Sequence, residues 1–234
     1  MPGFSDVSAV SRCIPFSSKT YPPFDMHCPI MSLPLAFGTT LATIPHADYL
    51  LPLPAARVQA WEQRLGPRER LRVGLVWSDN PKQGNDRNRS MPLRTLTPLF
   101  DLDATFVSLQ KDPRSDDKAL LSARTDIVDY TADLTDFVET AELMCCLDLM
   151  ITVCTSTAHL AGTLGRPTWV MLTYLPDWPW LLDRCDSPCY PTVRLFRQDE
   201  TRDYAAVVDA VRTELQRYCA SGPGNNAPVL PASR

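Results

Sequence analysis

LMITVCTSTAHLAGTLGRPTWVML, residues 149–172, contains two apolar runs separated by one short helical pattern. Leu149–Val153 and Thr168–Leu172 show no alternation of apolar and polar residues, which marks strands buried on both faces. Between them, Ser156–Leu164 carries the small residues Ala158, Ala161 and Gly162 and is closed by Gly165, a glycine stop signal. Strand, helix and strand in this order form a crossover in a parallel sheet.

The same alternation extends to both sides. Leu71–Trp77 is a continuous apolar run suited to a central strand, and Pro92–Phe100 places Leu93, Leu96, Leu99 and Phe100 on one helical face. Thr105–Leu109 and Ile127–Val128 read as strands, Asp136–Leu147 as a helix and Val193–Phe196 as a strand. Tyr204–Tyr218 is a terminal amphipathic helix with Val207, Val208, Val211 and Leu215 on its apolar face. Residues 70–219 are therefore expected to form an α/β domain, a Rossmann-like three-layer parallel sheet.

The flanks read differently. Residues 1–20 have neither period and are expected to be poorly ordered, and 220–234 (ASGPGNNAPVLPASR) to be a disordered tail. Residues 21–69 are proline-rich, with Pro22, Pro23, Pro29, Pro34, Pro45, Pro52 and Pro54, which permits only short helical turns and extended pieces. One helix, Ala55 to Leu65, ends this stretch at Gly66-Pro67.

Composition removes several function classes. Of 234 residues, 44% are hydrophobic and 21% charged, the balance of a globular chain. Lys plus Arg number 23 against 27 Asp plus Glu, a net charge of −4, so nucleic acid is not an expected partner. No apolar run reaches the length of a membrane helix and no secretory leader is visible, so the protein is expected to be cytoplasmic. The eight cysteines are irregularly spaced, with Cys145 and Cys146 adjacent, and are expected to be reduced. Cys185 and Cys189 lack a second Cys or His pair, so no metal site is expected. No Gly-x-Gly-x-x-Gly follows a strand, which excludes a dehydrogenase.

In an open α/β sheet, ligands bind beyond the carboxyl ends of the strands. The turn Cys154-Thr155-Ser156-Thr157-Ala158-His159 lies there, where hydroxyls and free N–H groups at a helix start favour an anion. It is equally the pattern of an ordinary N-cap at Thr155 or Ser156 with a satisfied His159. Cys154 at the helix start is expected to have some thiolate character, but Leu160 stands where a phosphatase-like loop needs arginine. The loop SDNPKQGNDRNRSM (78–91) brings Lys82, Arg87 and Arg89 to the same edge, fitting a diphosphate or simply a solvated polar loop. The segment from Tyr174 to Trp180 supplies aromatic faces that either stack on a ligand ring or pack the loop down.

Four segments carry a resemblance: RVGLVWSDNPKQGNDRNRSMPL (72–93), FVSLQKD (106–112), DFVETAELMCCLDLMITVCTSTAHLAGTLGRPTWVML (136–172) and DWPWLLDRCDSPCYPTVRLFRQ (177–198). Leu71 to Tyr218 resembles the C-terminal, donor-binding half of a family 9 (heptosyltransferase-like) GT-B glycosyltransferase. It is most similar to bacterial members in which that domain follows tetratricopeptide repeats. The resemblance implies a nucleotide-diphosphate sugar as substrate, with no separate cofactor and an acceptor it does not identify. Thr155, Ser156, His159, Lys82, Arg87 and Arg89 would then lie at the donor diphosphate, and Cys154, Asp177 and Trp178 near the nucleotide or sugar. Two departures accompany it. Cys154 stands where the family usually has an acidic residue, and residues 24–46 look like the last stretch of an otherwise missing acceptor domain, which in this family carries the general base. A separate chain supplying that domain is one expected partner. The alternative is a non-catalytic nucleotide-binding or interaction module of the same descent.

Overall fold

The computed structural model describes residue 14, residues 17–45 and residues 53–221; most of 1–20 and, of the expected disordered tail 220–234, residues 222–234 lie outside these, whereas Ala220 and Ser221 continue the last helix. The chain divides into two units, Met1–His46 and Ala47–Arg234. In the first, prolines restrict helix to single turns: 3-10 turns at Ile30–Ser32 and Leu41–Thr43 and helix α1, Leu33–Ala36. Met26, Leu35 and Phe37 are exposed there.

The second unit opens with α2, Ala55–Leu65, closed by Gly66 at φ 75°, the left-handed conformation that favours glycine. Six strands follow: β1 Leu71–Val76, β2 Ala104–Ser108, β3 Ile127–Asp129, β4 Leu149–Val153, β5 Thr168–Leu172 and β6 Val193–Arg197. They pair in parallel in the order β3-β2-β1-β4-β5-β6. The intervening helices are α3 Asp86–Arg89, α4 Ser115–Ala123, α5 Phe137–Cys145 and α6 Ser156–Thr163, and α7 Tyr204–Ser221 ends the unit. This is the Rossmann-like parallel sheet expected from the sequence.

Alternate residues of the central strands feed two cores. Leu71, Val73, Leu75, Leu149, Ile151 and Val153 face a core completed by Val207, Val211 and Leu215 of α7. Val76, Val107 and Met150 face the opposite core with Leu143 and Met144 of α5 and Trp61 of α2. Helix α2, grouped with the proline-rich segment 21–69 in the sequence reading, thus packs on the sheet domain, because Val58, Trp61 and Leu65 form an apolar stripe that requires burial.

α3 and the 3-10 turn at Trp178–Trp180 fall in segments read as loops, and two further elements differ from expectation. The helix at Pro92–Phe100 is a 3-10 helix, Leu93–Leu99, with Pro98 inside it. Proline there has no N–H to donate to the i−4 carbonyl and would clash with it in an α-helix. Helix α4 was not anticipated, because Ala119, Leu120 and Leu121 are consecutive rather than spaced at helical period. It is held by buried Asp117, which accepts from Trp77 Nε1 at 2.9 Å and from Leu93 N at 2.8 Å. That carboxylate ties the end of β1 to two neighbouring elements and fixes where the following loop starts.

Candidate functional site

The strand order reverses between β1 and β4, and loops diverge there at the carboxyl edge. The loop after β1 is closed at its base, where Met91 N donates to Trp77 O at 3.0 Å. Gln110, just beyond β2, accepts through Oε1 from Trp77 N at 3.0 Å and Ser78 N at 2.8 Å. Ser90 Oγ accepts from Asp79 N at 2.8 Å. These bonds hold the loop's two ends against the sheet while its middle projects outward.

A cleft of about 470 Å³ opens beyond β1, β2 and β4. Ser78, Lys82, Gln110, Lys111, Thr155 and Ser156 are among its walls, so the structure brings Lys82 to the start of α6 as the sequence reading required. Asp79 and Asp112 also line it, the latter at φ 55°. Thr155 is the N-cap of α6, with extended backbone (φ −136°, ψ 174°) and a hydroxyl that accepts from Thr157 N at 3.3 Å. Ser156 is exposed on the wall. First-turn N–H groups of a helix have no intrahelical acceptor, so α6 presents donors to this cleft.

The other sequence-predicted residues lie elsewhere. Arg89 turns inward, where its Nε donates to Cys154 O at 3.1 Å and Nη1 meets Asp177 at 3.1 Å, with Asp79 at 3.5 Å. It is a clasp joining the loop after β1, the turn before α6 and the loop after β5. Arg87 points away from the first cleft and lines a second, with Tyr174 and Arg202. Trp178 is exposed, whereas Trp180 is fully buried, so Trp180 is the aromatic that packs this loop down.

Trp180 organises the remaining two candidates. Its Nε1 donates to Cys154 Sγ at 3.0 Å, and its ring stacks on His159 at 4.9 Å with 21° between planes. The thiolate character expected of Cys154 is not found: burial pushes its thiol up, outweighing the Trp180 N–H and the Arg89 charge. His159 shares a hydrogen bond of 3.1 Å between Nδ1 and the Tyr190 hydroxyl. Burial, as the main cause, holds its pKa below the ordinary 6.5.

A histidine kept neutral by burial is protonated more readily in the unfolded chain. Its contribution to stability is therefore complete above pH 6.5 and is lost as pH falls from there through the folded-state value. Urea denaturation at pH 7.5 and 5.5 is expected to show this loss in the wild type and a smaller one in His159→Gln. Equal losses would show that His159 does not titrate with folding.

Sequence reasoning did not single out Ser78, Gln110 or Lys111 as site residues. Gln110 carried one signal: a polar side chain immediately after a buried strand is placed to receive the N–H groups leaving the neighbouring strand.

No family model matches the sequence. Over 223 residues the chain is 26% identical to Protein FlbA of Caulobacter vibrioides, covering 91% of this chain and 36% of that protein. The chain thus spans little more than a third of the length of this curated relative. Among solved structures it is similar to ADP-heptose LPS heptosyltransferase II of E. coli, with a TM-score of 0.51 and 15% identity over 73% of this chain and 53% of that one. A structure of the wall teichoic acid polymerase TagF matches with a TM-score of 0.37 and 14% identity over 71% and 42%. The heptosyltransferase likeness establishes a GT-B glycosyltransferase-like α/β fold. Among the described residues, no helix is long and apolar enough to cross a membrane.

Proposed function

We propose that this chain is the donor-binding domain of a family 9 glycosyltransferase of the kind that carries tetratricopeptide repeats, and that it takes a nucleotide-diphosphate sugar in the cleft at the strand-order reversal. One observation carries the reading: Lys82, Lys111 and the first turn of α6 line a single cleft at the point of an open α/β sheet where ligands bind. N–H groups at a helix start and the Lys82 ammonium supply charge compensation for a leaving diphosphate, while the Lys111 ammonium donates to Thr135 O at 3.4 Å. Asp79 is drawn toward Arg89, which reduces the negative charge it presents to the cleft.

The roles then divide. Lys82, Ser156 and the α6 N–H groups contact the diphosphate, while Thr155 holds the turn that presents them. Arg89, Cys154, Asp177 and His159 position that turn through the Trp180 loop, and Trp178 lies exposed at its rim. The acceptor and the base that activates it are supplied by the rest of the assembly, whether in the same polypeptide or in a partner chain, and the setting is cytoplasmic.

Calorimetric titration with UDP, ADP and GDP is expected to give weak binding to at least one, weakened further by salt because Lys82 is exposed. Lys82→Gln is expected to cost about tenfold in affinity, roughly 1.4 kcal/mol, the scale of one charged hydrogen bond. Thr155→Ala with Ser156→Ala is expected to weaken binding beyond any change in stability. Silence from all three nucleotides at millimolar concentration overturns the donor reading, and a loss of stability with affinity intact reduces the two hydroxyls to caps.

A further inference from the structure

The second cleft, about 280 Å³, lies beyond the carboxyl ends of β5 and β6. Arg87 and Arg202 line it together with the amides Asn85, Asn88 and Gln198, and no carboxylate does. Of the neighbouring acids, Asp86 is ion-paired, whereas Asp199, Glu200 and Asp203 keep their charge but stand outside the lining. Asp86 pairs with Arg114 at 2.5 Å, Asp199 accepts from Thr201 N at 2.9 Å, and Asp203 accepts from Ala205 N at 2.8 Å. Among the described residues, neither Arg87 nor Arg202 forms an ion pair. Two guanidinium groups facing one polar concavity leave a local positive charge that an oxyanion would neutralise.

The wall is also fixed in place. Gln198, 8% exposed, accepts through Oε1 from Tyr174 N at 3.1 Å and donates through Nε2 to Arg202 O at 2.9 Å. One buried amide thus pins the loops after both strands. Arg202 is held at φ 57°, a left-handed conformation that disfavours a non-glycine residue, and its guanidinium lies 5.7 Å from the Tyr174 ring centroid. The loop after β1 serves both clefts, with Lys82 on the first and Arg87 on the second.

We propose that this second cleft is a separate binding site for an oxyanion, a phosphate or carboxylate group carried by a small acceptor molecule. Its assignment to the acceptor rests on the donor reading of the first cleft, whereas the oxyanion site itself does not. Arg87 and Arg202 bind the group directly, and Gln198 positions Arg202.

The test titrates the full chain with inorganic phosphate, followed by calorimetry, in the presence of saturating UDP. Phosphate is expected to bind with UDP in place, and Arg87→Gln and Arg202→Gln are each expected to weaken it about tenfold while leaving UDP affinity unchanged. Both arginines are exposed, so the variants are expected to keep the wild-type melting temperature. Glucuronate added to the phosphate complex separates the sources: displacement assigns a carboxylate-bearing acceptor, and retention a phosphorylated one. Complete displacement of phosphate by UDP, or wild-type phosphate binding in both arginine variants, overturns the proposal. If UDP does not bind, ADP or GDP takes its place; if none of the three binds, the donor reading falls, and phosphate titration of the wild type and the two variants still decides the oxyanion site.

Discussion

Trp180→Ala is expected to lower the stability of the sheet domain by about 3–5 kcal/mol, the cost of deleting a fully buried large aromatic side chain. At this size the loss corresponds to a fall in Tm of about 6–20 °C. Trp180 has no exposed surface and sits in a core with Cys154, Ala158, Val170, Leu172, Val193 and Leu195. Deleting it also removes the N–H donor to Cys154 Sγ and the ring stacked on His159. Trp180→Phe keeps most of the volume and loses the donor, so it is expected to cost less than half as much. Urea denaturation of the three proteins decides the point. An alanine variant within 1 kcal/mol of wild type would show that the loop after β5 is not anchored by this side chain.

Arg89→Met is expected to destabilise by about 2 kcal/mol and to abolish measurable nucleoside diphosphate binding. Removing one partner of a buried ion pair costs about 3–5 kcal/mol, but Asp177 is 47% exposed and can be hydrated, so the lower figure applies. Cys154 O loses its donor, and Asp79, which lines the donor cleft, loses its counterion. The cleft then carries an extra uncompensated carboxylate where the diphosphate is expected to bind. Calorimetry at a temperature where the variant remains folded separates the two effects. Wild-type affinity in a folded Arg89→Met protein would show that the clasp serves stability alone.

The contrast between Arg87 and Arg89 shows where sequence reasoning reaches its limit. Both stand in one basic loop, and composition assigns them the same role. They lie two positions apart on the single turn of α3, and at about 100° per residue they leave it in opposite directions. A one-turn helix in a polar loop has no apolar stripe to announce it. The sheet was easier to read, because Leu149–Val153 and Thr168–Leu172 are apolar on both faces and only a covered parallel sheet buries such strands. Pro98 was visible too, yet the apolar spacing of Leu93, Leu96 and Leu99 suits a 3-10 helix as well as an α-helix. The spacing set the buried face, and the proline set the helix type. At the candidate site, the start of α6 could be placed from Thr155 and Ser156. The Gln110 contribution could not, since it depends on the pairing of β1 with β2.

We propose that the cleft at the strand-order reversal holds the diphosphate of the donor. Backbone amide chemical shifts of the full chain, followed through a titration with the nucleoside diphosphate that binds best, test it most directly. The largest changes are expected at Ser78–Lys82, Gln110–Asp112 and Ser156–Thr157, with those of Ser156 and Thr157 moving downfield as their N–H groups meet phosphate oxygens. Changes centred on the cleft between α2 and α5, lined by Arg57, Trp61 and Glu142, or no saturable change at any amide, would contradict it.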